Sequence, residues 1–319
     1  MKSIDILMPY PMLPIAQEQL EAAFTLHKLF EADDPDTVLA EIGDRIRGVA
    51  LGFGSVDTAF LRKIPNVEIV SSFGVGYDHI DVDACLAANA EVTHTPDVLS
   101  DEVADTAIGL MIMAIREFGQ AETWLREGNW KHKGPYPLTK ATLRGRKLGI
   151  FGLGRIGKEI AKRAEAFGLE ISYHGRSRQE GISYPYHASL KELAAACDTL
   201  MVVAPGGADT EHAVSAEILS ALGPDGVLIN VGRGSVVDEA ALITALEDGT
   251  ILGAGLDVFE NEPHVPERLM QLPGVTLLPH VGSASRFTRD AMGQLVVDNL
   301  KSWFNTGKAI TPVPEMRQK

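Results

Sequence analysis

Cysteine is scarce in this sequence: two in 319 residues, Cys85 and Cys197. With no CxxC pair and no His/Cys cluster, neither a disulfide framework nor a zinc site can be assembled, and no metal is expected. Both cysteines sit in Ala-rich helical patterns, as the buried thiols of a reducing compartment do. Long apolar runs are missing as well. Nothing approaches the ~18 consecutive apolar residues of a membrane-spanning helix. The opening Met1-Lys2-Ser3-Ile4-Asp5-Ile6 puts an acid where a signal peptide keeps an unbroken apolar core. A cytoplasmic protein with no membrane partner is the expectation. Basic residues are the minority, 29 Lys and Arg against 43 Asp and Glu for a net charge of -14. That balance excludes nucleic acid or an anionic membrane surface as the main partner. A small anionic substrate stays open, because a few local cations can set the field of a cleft.

What the sequence does contain is regular alternation. Hydrophobic residues make up 45% and charged residues 23%, the balance of a globular protein with ample core. Short apolar strands at residues 4–8, 25–29, 48–52, 67–72 and 91–94 alternate with helical stretches at 15–24, 36–46, 58–63 and 82–88. Strand–helix alternation of this kind builds parallel βαβ units. A helix from Ser100 to about Gln120 follows, apolar on most faces and therefore buried in a core, between domains or between subunits. Residues 128–140, with Trp130 and Tyr136, read as a turn-rich aromatic loop that would suit a subunit contact. Further strands are expected at 148–151, 169–173, 199–204, 227–231, 254–258 and 275–278. Helices lie between them at 158–167, 190–196, 216–221 and 239–247, and an amphipathic helix runs over 287–304. The fold class is α/β, with two doubly wound, Rossmann-like parallel-sheet domains.

The most informative stretch is Gly152-Leu153-Gly154-Arg155-Ile156-Gly157. It follows a buried strand and opens a helix, the context a dinucleotide fingerprint needs. The first glycine permits the tight turn and the second lets backbone approach a pyrophosphate. The third lets helix and strand pack closely, while the helix N-terminus attracts the anion. The next strand ends Tyr173-His174-Gly175-Arg176-Ser177-Arg178. An NAD-binding fold would carry an acid near here to bind the ribose hydroxyls. Two arginines flanking a serine suit a 2′-phosphate instead, so NADP(H) is preferred and NAD(H) is expected to bind more weakly. His174 either stacks on adenine or packs internally.

Ligands in such folds bind beyond the carboxyl ends of strands. Three polar residues stand there: Arg233 in Asn230-Val231-Gly232-Arg233-Gly234, Glu262 in Asp257-Val258-Phe259-Glu260-Asn261-Glu262-Pro263, and His280 in Pro279-His280-Val281-Gly282. Reducing a 2-keto acid calls for a cation on the carboxylate and carbonyl oxygen and for a proton donor that works near neutrality. Arginine suits the first task and histidine beside a carboxylate the second.

These motifs, together with Gly74-Val75-Gly76-Tyr77-Asp78-His79-Ile80-Asp81 and Thr95-Pro96-Asp97-Val98-Leu99, resemble the D-2-hydroxyacid dehydrogenase family over essentially the whole chain. The NADPH-dependent glyoxylate/hydroxypyruvate reductase branch and the related hydroxyphenylpyruvate reductases are nearest. The resemblance implies a flavodoxin-like substrate domain begun by residues 1–98, an NAD(P)-binding Rossmann domain at 99–286, and a helix at 287–319 returning to the first. It implies that Arg233 binds the substrate carboxylate and polarises the keto oxygen, that His280 is the general acid, and that Glu262 pairs with it. Val75 and Gly76 would hold the carboxylate by their amides, and Leu51 would border the side-chain pocket. Thr106 and Gly152, Leu153, Gly154, Arg155, Ile156 and Gly157 would serve the pyrophosphate, with Arg176, Ser177 and Arg178 on the 2′-phosphate. Ala204, Pro205 and Thr210 would line the adenosine side. Val231 and Asp257 would line the nicotinamide side, and Gly232, Arg233, His280 and Gly282 would also contact the cofactor. The partners implied are a small 2-keto or 2-hydroxy acid and a second copy of the chain in a homodimer. After Pro205 the family more often carries Leu-Thr or Leu-Asn, whereas this chain has Gly206-Gly207, which alters the adenine edge. Two other readings share these motifs: a reductase of bulkier acids such as aryl pyruvates or 2-ketogluconate, and a non-catalytic dinucleotide sensor that recruits partners.

Overall fold

The computed structural model describes residues 2–318. The chain forms two compact units, one running up to Leu99 and resuming at Ala284, the other spanning Ser100–Ser283.

In the first unit, strands β1 (Asp5–Met8), β2 (Thr25–Lys28), β3 (Ile46–Leu51), β4 (Ile69–Ser72) and β5 (Glu91–Thr93) form one sheet in the order β2-β1-β3-β4-β5, with every neighbouring pair parallel. That is the flavodoxin-like order. Three of the intervening helices start where an aspartate accepts from an amide three residues on: Asp34 from Thr37, Asp57 from Phe60 and Asp81 from Ala84. These caps satisfy helix-end donors that would otherwise be orphaned. The helix Arg286–Thr306 also belongs to this unit. It lies against the helix Pro14–Ala23 and β4, and its Val296, Val297 and Leu300 join Ile6, Met8, Leu20 and Phe24 in one core layer.

The second unit holds β6 (Lys147–Phe151), β7 (Glu170–His174), β8 (Thr199–Val202), β9 (Val227–Asn230), β10 (Gly253–Leu256) and β11 (Val275–Leu277), in the order β11-β10-β9-β8-β6-β7 and again all parallel. Beyond β7 one further strand survives as a single parallel bridge. Tyr173 pairs with Tyr186, its amide donating to Pro185 O at 2.9 Å and its carbonyl accepting from His187 at 2.9 Å. Counting that bridge as the third strand gives the 3-2-1-4-5-6 order of the dinucleotide-binding fold with β11 added as a seventh strand beyond β10, and the direction of winding reverses between β6 and β8. The bridge was illegible in the sequence because Pro185 lacks a donor and leaves no room for a ladder.

Other departures are local. The long apolar helix ends at Arg116 rather than near Gln120. Glu117 turns into the left-handed region at φ 51°, and a new helix, Phe118–Arg126, begins. The aromatic segment expected as loop contains a short helix, Asn129–Lys133, and folds back. Trp124 donates to Gly134 O at 3.1 Å, and Tyr136 donates to the Glu117 carboxylate at 2.7 Å. The apolar face of Ser100–Arg116 packs on β9, β10 and the helix Arg155–Ala166, so it is core of its own unit. Burial pushes the two unpaired thiols up, Cys85 to about 11 and Cys197 to about 12. Among the described residues no helix is long and apolar enough to cross a membrane, and no group of His, Cys, Asp and Glu could hold a metal ion.

Candidate active site and cofactor cradle

The glycine loop joins β6 to the helix Arg155–Ala166, which starts inside the motif rather than at Lys158. Gly152 takes φ 102°, and a Cβ there would lie 2.7 Å from Ala204 N. A Cβ at Gly157 would meet Gly152 O at 2.4 Å, so no larger residue lets the helix sit this close to the turn. Around Gly154 the situation reverses: a Cβ would meet no heavy atom within 4 Å. The loop is closed toward the sheet and open around Gly154, where the N-terminal end of the helix and its dipole favour an anion. Its residues therefore fit a dinucleotide pyrophosphate.

The β7 end lies beside this loop, with Gly152 N donating to His174 O at 2.9 Å. His174 is packed, not free. Its ring stacks between Phe151 and Tyr186, and its Nδ1 lies 2.9 Å from the carbonyl of His187. Arg176, Ser177 and Arg178 are exposed, and neither arginine forms an ion pair among the described residues. Thr210 closes the turn after β8, its hydroxyl donating to Pro205 O at 2.7 Å; Ala204 is buried beneath it and Pro205 is exposed.

Arg233 stands on the turn after β9. Asn230, 1% exposed, braces that turn from both sides: its Oδ1 accepts from Gly232 N at 3.0 Å and its Nδ2 donates to Arg233 O at 2.9 Å. Nothing in the sequence beyond its place at a strand end marked Asn230 for this task. The Arg233 guanidinium folds back onto Gly232 O through Nη1 at 2.8 Å. Val231 is buried.

After β10 comes Asp257, 2% exposed. Its carboxylate chelates the two amides that follow His280, Val281 N at 2.7 Å and Gly282 N at 2.8 Å, while its carbonyl accepts from His280 N at 2.9 Å. Burial pushes the Asp257 carboxyl above its ordinary value despite those two amides. The clamp holds His280 in the left-handed region, φ 52°, and turns its side chain out of the strand line. Thr106 adds a third tie, donating to Gly282 O at 3.3 Å.

His280 Nδ1 lies 2.7 Å from Glu262 Oε2, and Glu262 Oε1 accepts from Phe259 N at 3.0 Å. Burial acts upward on the Glu262 carboxyl. The His280 hydrogen bond, the Phe259 amide and the charges of His280 and Arg233 outweigh it and hold the group below the ordinary carboxylate range. One carboxylate thus feels both His280 and Arg233, which joins three residues separated by up to 47 positions in sequence. A glycine cradle, a histidine–carboxylate pair and an arginine at the ends of parallel strands form one constellation.

Residues 108–282 match the family model for the D-isomer specific 2-hydroxyacid dehydrogenase NAD-binding domain. The chain belongs to that family. Its relatives in the family include glyoxylate/hydroxypyruvate reductase A of Arabidopsis thaliana and hydroxyphenylpyruvate reductase of Plectranthus scutellarioides. Each is 44% identical over 98% of this chain and 100% of the relative. A solved structure of the NADPH-dependent glyoxylate/hydroxypyruvate reductase of Sinorhizobium meliloti, in complex with NADP and malonate, superposes with a TM-score of 0.94 at 54% identity, covering 98% of this chain and 97% of that one. As a member of the dehydrogenase family, the chain carries a nicotinamide-dinucleotide-binding domain in its second unit.

In the first unit the residues with implied substrate roles differ in accessibility. Leu51 is 1% exposed and belongs to the core, so its side chain borders no open surface; Gly52 and the exposed Phe53 follow it at the strand end. Val75 and Gly76 lie on the turn after β4. Neighbouring backbone is pinned, with Gly74 N donating to Thr95 Oγ1 at 3.0 Å and the Val75 carbonyl 2.9 Å from His94 Nδ1. The Val75 and Gly76 amides donate to no other described residue.

Proposed function

We propose that this chain reduces small 2-keto acids at the expense of NADPH, glyoxylate to the achiral 2-hydroxy acid and hydroxypyruvate to the D-2-hydroxy acid. The observation that carries the reading is the 2.7 Å contact of His280 Nδ1 with Glu262 Oε2 beside the charge of Arg233. Arg233 binds the substrate carboxylate and draws electron density from the keto oxygen, the charge-assisted role a guanidinium fork performs best. Glu262 engages Nδ1 and fixes the ring, leaving Nε2 to deliver a proton to the alkoxide oxygen as it forms. When bound, the nicotinamide supplies the hydride; carbonyl plus hydride plus the His280 proton gives the hydroxy acid. In the oxidative direction Nε2 takes the proton back. The amides of Val75 and Gly76 are a ready nest for a carboxylate oxygen.

The unpaired, exposed Arg176 and Arg178 around Ser177 support NADPH over NADH. The 44% identity shared with a hydroxyphenylpyruvate reductase and the 40% shared with a 2-ketogluconate reductase of Gluconobacter oxydans support a second reading, in which bulkier 2-keto acids are the better substrates. We also propose a homodimer, because Leu125, Trp130 and Leu138 are 55%, 62% and 98% exposed on one stretch of chain. A cytoplasmic location suits the two unpaired, buried thiols.

Initial rates of NADPH and NADH oxidation with glyoxylate, hydroxypyruvate, 4-hydroxyphenylpyruvate and 2-ketogluconate test the reading, together with chiral analysis of the product. Turnover with at least one acid, faster with NADPH, is expected. No turnover with any of them would return the chain to dinucleotide sensing.

A further inference from the structure

The segment Arg176–Arg178 is exposed, yet it is strapped at its ends. Ahead of it, the Tyr186 hydroxyl donates to Gly175 O at 3.3 Å. Behind it stands Gln179, which makes two bonds. Its backbone amide donates to the hydroxyl of Tyr173 at 2.8 Å, and its side-chain Nε2 donates to the carbonyl of Leu153 at 2.6 Å. Tyr173 is 1% exposed and Leu153 is 2% exposed, so both anchors are rigid parts of the core. Leu153 is the residue between the first two glycines of the cradle.

From this geometry we infer that Gln179 is a positioning residue for cofactor choice: it locks the Arg176-Ser177-Arg178 segment in register with the glycine loop. The inference rests on the NADPH reading proposed above and adds the residue through which that preference is built. The physical reason is preorganisation. A pyrophosphate meets only the glycine loop, whereas a 2′-phosphate must meet the loop's neighbour at a fixed offset from it. If residues 176–178 were tethered only through β7, ordering two long arginines onto the phosphate would cost rotamer and backbone entropy at the moment of binding. The amide bond to Tyr173 fixes the backbone, and the bond to Leu153 O fixes its distance from the cradle. A side-chain amide suits this task because it reaches a backbone carbonyl without adding charge next to a phosphate. A glutamate at 179 would place two acceptors against that carbonyl and a negative charge near the ligand.

The test uses Gln179→Leu, which keeps bulk and loses the side-chain donor, and Tyr173→Phe, which keeps the packing and removes the acceptor of the Gln179 amide. Titration calorimetry of wild type and both variants with NADPH, NADH and adenosine 2′,5′-bisphosphate gives the dissociation constants, and thermal melts confirm folding. The expected result is a rise of about three- to tenfold for NADPH and the bisphosphate in each variant, the scale of one net hydrogen bond, with NADH changed by less than about twofold. Equal weakening of NADPH and NADH would overturn the inference, since Gln179 would then merely shape the glycine loop, and unchanged constants in both variants would overturn it too. A wild type that binds NADH as tightly as NADPH would instead fail the cofactor reading itself, and the inference with it. If Gln179→Leu does not fold, the Tyr173→Phe constants decide alone.

Discussion

Gly234 lies against the peptide of Phe259 so closely that a Cβ on Gly234 would sit 1.8 Å from the Phe259 carbonyl carbon. This contact joins the turn that carries Arg233 to the turn that carries Glu262. Gly234→Ala must push the two apart, with about 1–3 kcal/mol of overpacking as the typical cost. Melting temperature and kcat/KM are expected to fall together. A variant with wild-type stability and rate would show that the two turns tolerate separation and that this contact does not set the site.

His280→Asn removes the imidazole proposed to deliver the proton from Nε2 and keeps a side chain able to bond Glu262. Loss of a general acid lowers turnover by a factor of ~10² or more. Cofactor affinity should stay within about threefold of wild type, since the glycine loop is untouched. Single-turnover rates at saturating NADPH measure this, and a rate near wild type would refute the assignment of His280.

The pH dependence follows from Glu262, whose carboxyl is held below its ordinary value. A depressed carboxyl contributes stability that is present above its unfolded pKa of ~4.3 and is lost as pH falls through the lower folded value. Wild type should therefore melt above Glu262→Gln at neutral pH, with the gap closing below roughly pH 4. Both partners are partly exposed, 34% for Glu262 and 52% for His280, so solvent screening keeps the gap small. A gap that widens on acidification would mean the sign is wrong and the pair opposes folding.

Replacing Arg176 and Arg178 together by alanine removes two cations that meet no acid among the described residues. Charge-assisted bonds of this kind contribute ~1.5–3 kcal/mol each. The two together put the expected rise in the NADPH dissociation constant on the order of 10²- to 10⁴-fold, with NADH hardly affected. Equal effects on the two cofactors would move the 2′-phosphate elsewhere.

Much of this protein is legible in its sequence, and the exceptions have physical reasons. Apolar alternation located the strands because burial on both faces of a parallel sheet demands continuous hydrophobic runs. The helix around 100–120 was also evident, but its end was not: Glu117 takes a left-handed conformation there, and its carboxylate accepts from Tyr136, 19 positions on. The Tyr173–Tyr186 bridge escaped because one residue pair has no periodicity. Leu51 ends β3, and a strand-end position alone gives no means of telling that its side chain is packed in the core.

Sequence alone determined the long strands and helices, their parallel arrangement and the kinds of residue at strand ends, because those follow from local propensity and hydrophobic spacing. It also singled out Arg233, Glu262 and His280, since few side chains bind a carboxylate or move a proton near neutrality. Only the tertiary structure decided how they are held. The Asp257 clamp on Val281 and Gly282, the Asn230 brace under Arg233, the Gly234 contact with Phe259 and the Gln179 tie to Leu153 all join residues between 2 and 26 positions apart through backbone groups. Backbone amides and carbonyls are the same at every position, so a sequence carries no mark of which of them a side chain will reach once the strands are side by side.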